Sequence, residues 1–214
     1  LANGAMELAL VGDFDPDQAI DLVARTLGAV PPREAEFRPY RESRQRAFTA
    51  DRSAHVLHHT GAADQALLRL TWPTADDSEK LGQTYSPETS AAQSRTYPDY
   101  GTFSIGAAID VADVDAARGA IAATLRSLIA EPVDADVLLR ARQPLLESFD
   151  NALKTNGGWM NLVDRAQTEP DRIARFTQGK ALLQSLTAED LQAMAARYLD
   201  PAQAVEVLVL PEDE

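Results

Sequence analysis

Leu186-Thr-Ala-Glu-Asp-Leu-Gln-Ala-Met-Ala-Ala-Arg-Tyr-Leu-Asp-Pro201, followed by Ala204-Val-Glu-Val-Leu-Val-Leu-Pro211, reads as a capped helix, a stop and a strand in one continuous phrase. Thr187 can cap the helix, with Asp190 at the third helical position reaching back to it. Leu191, Met194, Ala195 and Tyr198 fall at i, i+3, i+4 and i+7 and make one apolar face. Asp200-Pro201 ends the helix, and a β-branched run begins. The phrase requires an amphipathic helix packed on a sheet.

Working outward, Met6 to Val11 reads as a first strand. Asp15 then caps a helix with Pro16 at its first position and Gly28 at its end, and Ile20, Val23, Ala24 and Leu27 are its expected buried face. Pro31-Pro32 and the charged stretch Arg33 to Arg46 read as an exposed crossing. Strands at Ala54 to Thr60 and Ala66 to Trp72 are separated only by Gly61-Ala-Ala-Asp64, which predicts an antiparallel pair. Gln83 to Ser94 and Gly101 to Val111 predict a long hairpin with Arg95-Thr-Tyr-Pro-Asp-Tyr100 at its tip.

From there the pattern is helical. Val114, Ala117, Ile121, Leu125, Leu128 and Ile129 form one stripe. Pro132-Val-Asp134 opens a second helix through Leu138, Leu139, Leu145, Leu146, Phe149 and Leu153, with Pro144 expected to kink it. Asn156-Gly-Gly158 interrupts the helix, Trp159, Met160, Leu162 and Val163 resume apolar packing, and Asp171 starts a helix through Ile173, Phe176, Leu182 and Leu183. The fold class is therefore α+β, a two-layer α/β sandwich with a mostly antiparallel sheet and helices on one face.

A chain of 214 residues with 45% hydrophobic residues suits one domain, 1–214, with a substantial core. Its formal charge of −13, from 33 acidic and 20 basic residues, argues against nucleic acid or an anionic membrane surface as partner. No apolar run approaches the roughly 20 residues that span a bilayer, so no membrane insertion is expected. Leu1-Ala-Asn-Gly-Ala lacks the features of a signal peptide. A start without Met that runs at once into a strand suggests a piece of something longer. The absence of cysteine rules out disulfides, thiol nucleophiles and cysteine-ligated zinc. The compartment is open between bacterial periplasm and cytoplasm, with the periplasm favoured.

Three phrases carry a resemblance. The terminal one above is similar to the end of a domain in the insulinase/pitrilysin family of zinc peptidases. Glu7-Leu-Ala-Leu-Val-Gly-Asp-Phe-Asp-Pro16 and the helix after it resemble the opening of the same domain, and Leu81-Gly-Gln-Thr-Tyr-Ser86 resembles a stretch of its non-catalytic repeat. The resemblance implies the metallohydrolase fold shared by the mitochondrial processing peptidases and LuxS, and a C-terminal repeat that carries no zinc. It also implies a long helix before Leu81. The six residues Ala75 to Lys80 cannot hold that helix, so it is either deleted or, as we favour, passed over by the continuous numbering.

Active members of this family carry His-x-x-Glu-His, two imidazoles for zinc and a carboxylate to activate its bound water. The motif is absent from all 214 residues, so no catalytic residue and no metal ligand is assigned. The three histidines, His55, His58 and His59, lie within five positions. Strand alternation puts His55 and His59 on one face, at best a weak surface metal site and more simply histidines lining a strand. The acidic runs Asp13 to Asp17 and Asp110 to Asp115 read as helix starts.

The resemblance assigns substrate contact to Tyr85, with Gly82 beside it. Taken as a residue alone, Tyr85 is more simply a strand aromatic packing on a neighbour. The arginine expected to accompany it would lie near Ser78, where it is either missing or hidden by the suspected gap. The implied role is a zinc-free repeat that closes on a catalytic repeat, in the same or a partner chain, around a peptide substrate. Zinc is then expected in the partner repeat and none in this chain. The alternatives are a scaffold subunit of the same fold without peptidase activity, or a metal-binding module using His55 and His59.

Overall fold

The computed structural model describes residues 3–61, 64–74, 88–94 and 96–212. In chain order its helices are α1 (Pro16–Arg25), α2 (Val114–Ala130), α3 (Ala135–Ala152), α4 (Asn156–Val163), α5 (Arg172–Ser185) and α6 (Ala188–Tyr198). Its strands are β1 (His55–His59), β2 (Gln65–Thr74), β3 (Glu88–Gln93), β4 (Gly101–Asp110) and β5 (Val205–Pro211). They divide between two units, Tyr40–Asp134 with Thr187–Glu214, and Leu1–Pro39 with Ala135–Leu186.

The first unit holds all five strands, in the order β1-β5-β2-β4-β3. Only β1 and β5 run parallel; the other pairs are antiparallel. Strand alternation decides the core. Ala66, Leu68 and Trp72 of β2 are buried, and register sets Trp72 opposite Phe103 and Leu70 opposite Ile105 of β4. That face is covered by α2 and α6, whose Leu125, Ala195 and Tyr198 join Trp72, Phe103 and Ile105 in one cluster. Among the described residues the largest side chains wholly removed from solvent are Leu68 and Trp72, and burying a leucine contributes about 2 kcal/mol. The α2 stripe packs as its spacing predicts, with Val114 and Leu125 buried and Ala117, Ile121, Leu128 and Ile129 against the core.

The α6 cap forms in full. Asp190 N–H donates to Thr187 Oγ1 at 3.1 Å, and Thr187 N–H donates to the Asp190 carboxylate at 2.9 Å. The Thr187 N–H and then the Thr187 hydroxyl, which donates to the same carboxylate at 2.9 Å, hold the Asp190 carboxyl below its ordinary range. Trp72 Nε1 donates to the Asp200 carbonyl at 2.9 Å, which ties the helix stop to the sheet.

The expected β1–β2 hairpin does not form. β5 lies between the two strands, pairing with each of them. A central strand is buried on both sides of its ladder, and the β-branched run of β5 suits that place better than His55–His59. The second hairpin does form, β3 against β4, with residues 94 and 96–100 at its tip. Residues 83–87 of its first arm and the suspected missing helix near 75–80 lie outside the described residues.

The second unit contains α1, α3, α4 and α5. Met6–Val11 pairs with no strand among the described residues. The segment is anchored instead by Glu7, whose carboxylate accepts from Gln167 N–H at 3.0 Å and from the Thr168 hydroxyl, and Met6, Leu8 and Leu10 are exposed. Asp15 caps α1 as read, accepting from Gln18 N–H at 3.0 Å. The helix then ends at Thr26, before a 3-10 turn through Gly28. Its expected buried face is not buried: Ile20 is 65% and Leu27 40% exposed.

Trp159, Met160, Ile173 and Leu182, expected in packing, are exposed too, and none of this unit's described residues is buried. Four helices that share their unit with no described strand cover only part of each apolar stripe. The firmest contact is Phe149 on α3 against Phe176 on α5, with ring centroids 5.8 Å apart. Gly179 makes room for it, since a Cβ there would lie 2.9 Å from the Phe149 ring.

Candidate functional site

The register of β1 determines what the histidines can do. His55 lies opposite Val207 and His59 opposite Pro211, so both stand on one sheet face with His58 on the other. His59 is fully engaged: Gly61 N–H donates to Nδ1 at 2.8 Å, and Nε2 lies 3.0 Å from the Gln65 carbonyl. An imidazole that accepts at Nδ1 and donates at Nε2 is a neutral tautomer with no lone pair left for a metal.

His55 Nε2 lies 3.7 Å from the Asp51 carboxylate. Ser53 donates to the same carboxylate through its hydroxyl at 2.6 Å and its N–H at 2.8 Å, and these bonds hold the Asp51 carboxyl below its ordinary range. The three residue types of a hydrolytic triad are therefore present in the wrong order, because the hydroxyl donates to the carboxylate and not to the imidazole. Among the described residues no group of three or more His, Asp or Glu is placed to hold a metal ion. Elemental analysis after zinc loading and dialysis should accordingly find no stoichiometric zinc. One zinc per chain, lost on His55→Ala, would establish the metal-module alternative.

The helical unit carries a shallow pocket of about 230 Å³ lined by Glu7, Ala9, Phe37, Asp164, Arg165 and Thr168. Its Glu7 carboxylate is not poised for acid–base work. The Thr168 hydroxyl, then the Gln167 and Thr168 N–H groups and the Arg165 charge, lower the Glu7 pKa against the opposing effect of burial. A carboxylate stabilised in this way is a weak base near neutral pH.

Tyr85 and Gly82, the residues assigned to substrate contact, lie outside the described residues. The acidic runs behave largely as helix starts. Asp15 caps α1, while Asp115 in the first turn of α2 pairs with Arg118, which also holds Glu206 at 2.8 Å. Sequence reasoning missed the tip of the β3–β4 hairpin, where Tyr97 and Tyr100 stand with ring centroids 6.4 Å apart. The signal for it was the turn sequence Tyr97-Pro-Asp-Tyr100.

Comparison with known proteins places the sheet, its covering helices and the missing zinc motif in one context. Residues 1–81 match the family model of the peptidase M16 inactive domain. A protease from Helicobacter pylori has the same fold, with a TM-score of 0.69 at 16% identity over 94% of this chain and 54% of that one. Residues 1–81 thus carry the signature of the M16 inactive domain, and the chain as a whole shares its fold with that protease.

The periplasmic protease PqqL from Escherichia coli matches in fold with a TM-score of 0.66 at 13% identity over 94% of this chain and 25% of that one. The inactive peptidase domain of a putative zinc protease from Bordetella parapertussis matches with a TM-score of 0.58 at 17% identity over 73% of this chain and 96% of that one. The chain thus spans about half or less of the first two proteins. No curated protein sequence matches it. No helix among the described residues is long and apolar enough to cross a membrane. The α+β class and the insulinase/pitrilysin resemblance agree with these findings.

Proposed function

We propose that this chain is the zinc-free repeat of an M16 zinc peptidase and closes against a catalytic repeat to form a chamber for peptides. The observation that carries the reading is the apolar surface of the helical unit. Leu8, Leu10, Ile20, Leu22, Leu139 and Leu182 are all at least 43% exposed, apolar side chains that a partner surface can cover. A fold that covers half of a longer relative supports a second repeat as the cover. In this reading the partner repeat supplies zinc and the water-activating glutamate, and this chain supplies wall and substrate contacts, Tyr85 and Gly82 among them. The compartment proposed is the bacterial periplasm, in keeping with the periplasmic relative.

The test pairs the purified chain with a His-x-x-Glu-His repeat from its own genome and follows cleavage of a quenched peptide. The chain alone should have no phenanthroline-sensitive activity, and the pair should have it. Tyr85→Phe in the pair should lower kcat and kcat/KM together by about tenfold to a hundredfold, the worth of one hydrogen bond made in the transition state, with the thermal midpoint nearly unchanged. Cleavage by the chain alone, or a stable pair without activity, would replace this reading, in the second case with the scaffold alternative. A Tyr85→Phe effect within twofold would return Tyr85 to packing.

A further inference from the structure

The tip of the β3–β4 hairpin is a clamp built from two tyrosines, and a cation already sits in it. Ser94 N–H donates to the Tyr100 carbonyl at 2.8 Å, and the Ser94 hydroxyl accepts from the N–H groups of Thr96 at 3.2 Å and Tyr97 at 3.0 Å. Tyr97-Pro98-Asp99-Tyr100 is a tight turn, with Pro98 at its second position and Asp99 at its third with φ 60°. This is the φ sign and the proline placement of a type II turn. Such a turn brings its first and last residues to one side, so both rings are set by backbone, edge to face and half-buried.

Arg46, fifty-one residues earlier, places its guanidinium carbon 5.5 Å from the Tyr97 ring centroid and 5.1 Å from that of Tyr100. Both distances are within cation–π range. Among the described residues Arg46 has no hydrogen bond or ion pair, so its charge is met by the rings. Arg44 alongside donates to the Thr96 carbonyl, which docks the same strip of chain on the hairpin.

We propose that the Tyr97–Tyr100 pair is a binding site for the guanidinium group of an arginine in a bound peptide, occupied in the free chain by Arg46 as an internal stand-in. A planar guanidinium stacks on aromatic faces where an ammonium does so less well, which makes arginine the preferred cation. The formal charge of −13 and the exposed Asp99 in the same turn favour the approach of cationic peptides. An exposed cation–π contact is worth a factor of about two to five, so two of them hold Arg46 in place by about tenfold. An incoming arginine must compete with that internal ligand, and its apparent affinity falls by the same factor. That the arginine arrives on a peptide rests on the function proposed above, but binding by the isolated chain requires no catalytic partner and no turnover.

The experiment titrates acetyl-Gly-Arg-Gly-amide, with its lysine and citrulline counterparts, into the 214-residue chain and follows the ring signals of Tyr97 and Tyr100 by NMR. Arg46→Ala should bind the arginine peptide about tenfold more tightly than the parent chain, ahead of lysine, while the neutral citrulline peptide leaves the rings unmoved. Adding Tyr97→Phe and Tyr100→Phe to Arg46→Ala should preserve binding, and Leu at both positions should abolish it. Equal affinity in the parent and Arg46→Ala, or equal shifts with citrulline, would overturn the assignment. So would binding that survives the leucine pair. An active assembly whose isolated chain ignores arginine would sink the clamp and leave the proposed function standing.

Discussion

Trp72→Ala should lower the thermal midpoint by roughly 10 °C or more, the largest loss expected from any single side chain in the sheet unit. Trp72 is the largest wholly buried side chain among the described residues, lies 6.1 Å from Phe103 between centroids and belongs to the cluster that α2 and α6 complete. Truncating a buried aromatic costs about 3–5 kcal/mol from lost burial and the cavity left behind. A chain of this length loses about 2–4 °C for each kcal/mol. The indole also donates to the Asp200 carbonyl, and that acceptor loses its partner. Trp72→Phe should fall between, keeping most of the apolar contact while losing the hydrogen bond, worth about 1 kcal/mol. Thermal melts followed by circular dichroism separate the three. A Trp72→Ala midpoint within a few degrees of the parent would mean that the sheet core does not close on this residue.

Asp200 also marks the line between what sequence makes legible and what it does not. The helix and strand around it were readable because their signals are local: Thr187 and Asp190 cap each other three residues apart, and Asp200-Pro201 stops the helix where it stands. The pairing of β5 was not readable. Its neighbours β1 and β2 lie more than 130 residues earlier, and nothing in Gly61-Ala-Ala-Asp64 says that a third strand will enter between the arms it joins. Met6–Val11 misled for the same reason, since alternation announces a strand but not a partner. Helix faces were legible as stripes and illegible as burial. Val114 and Leu125 are buried because a sheet lies beneath α2, while Ile20 on an equally clear stripe is exposed. At the candidate sites, alternation correctly placed His55 with His59, but the tautomer that disarms His59 depends on Gly61 and Gln65. The tyrosine clamp needed both a turn, which is local, and Arg46, which is not.

Gly158→Ala should destabilise the helical unit by about 3 kcal/mol or more, at the upper end of what an added methyl costs, while its neighbour Gly157→Ala is neutral or slightly stabilising. In sequence the two glycines are indistinguishable, a pair that interrupts a helix. In the structure α3 ends at Ala152, and Thr155 caps α4 by accepting from Gly158 N–H at 3.1 Å, so the chain turns back on itself within a few residues. A Cβ on Gly158 would collide with the Ala152 carbonyl oxygen, and backbone cannot step aside as a long side chain can. The corner must open, which breaks the cap and displaces α4 from α3. At Gly157 the nearest atom to a Cβ is Thr155 Oγ1 at 3.8 Å, ordinary contact, and alanine there gains up to about 1 kcal/mol of helix propensity. A unit in which no described residue is buried has little reserve against the first change. Far-UV circular dichroism should therefore register lost helix and an earlier melt in Gly158→Ala and neither in Gly157→Ala. Equal melts for the two variants would mean that the α3–α4 corner is not built on this contact.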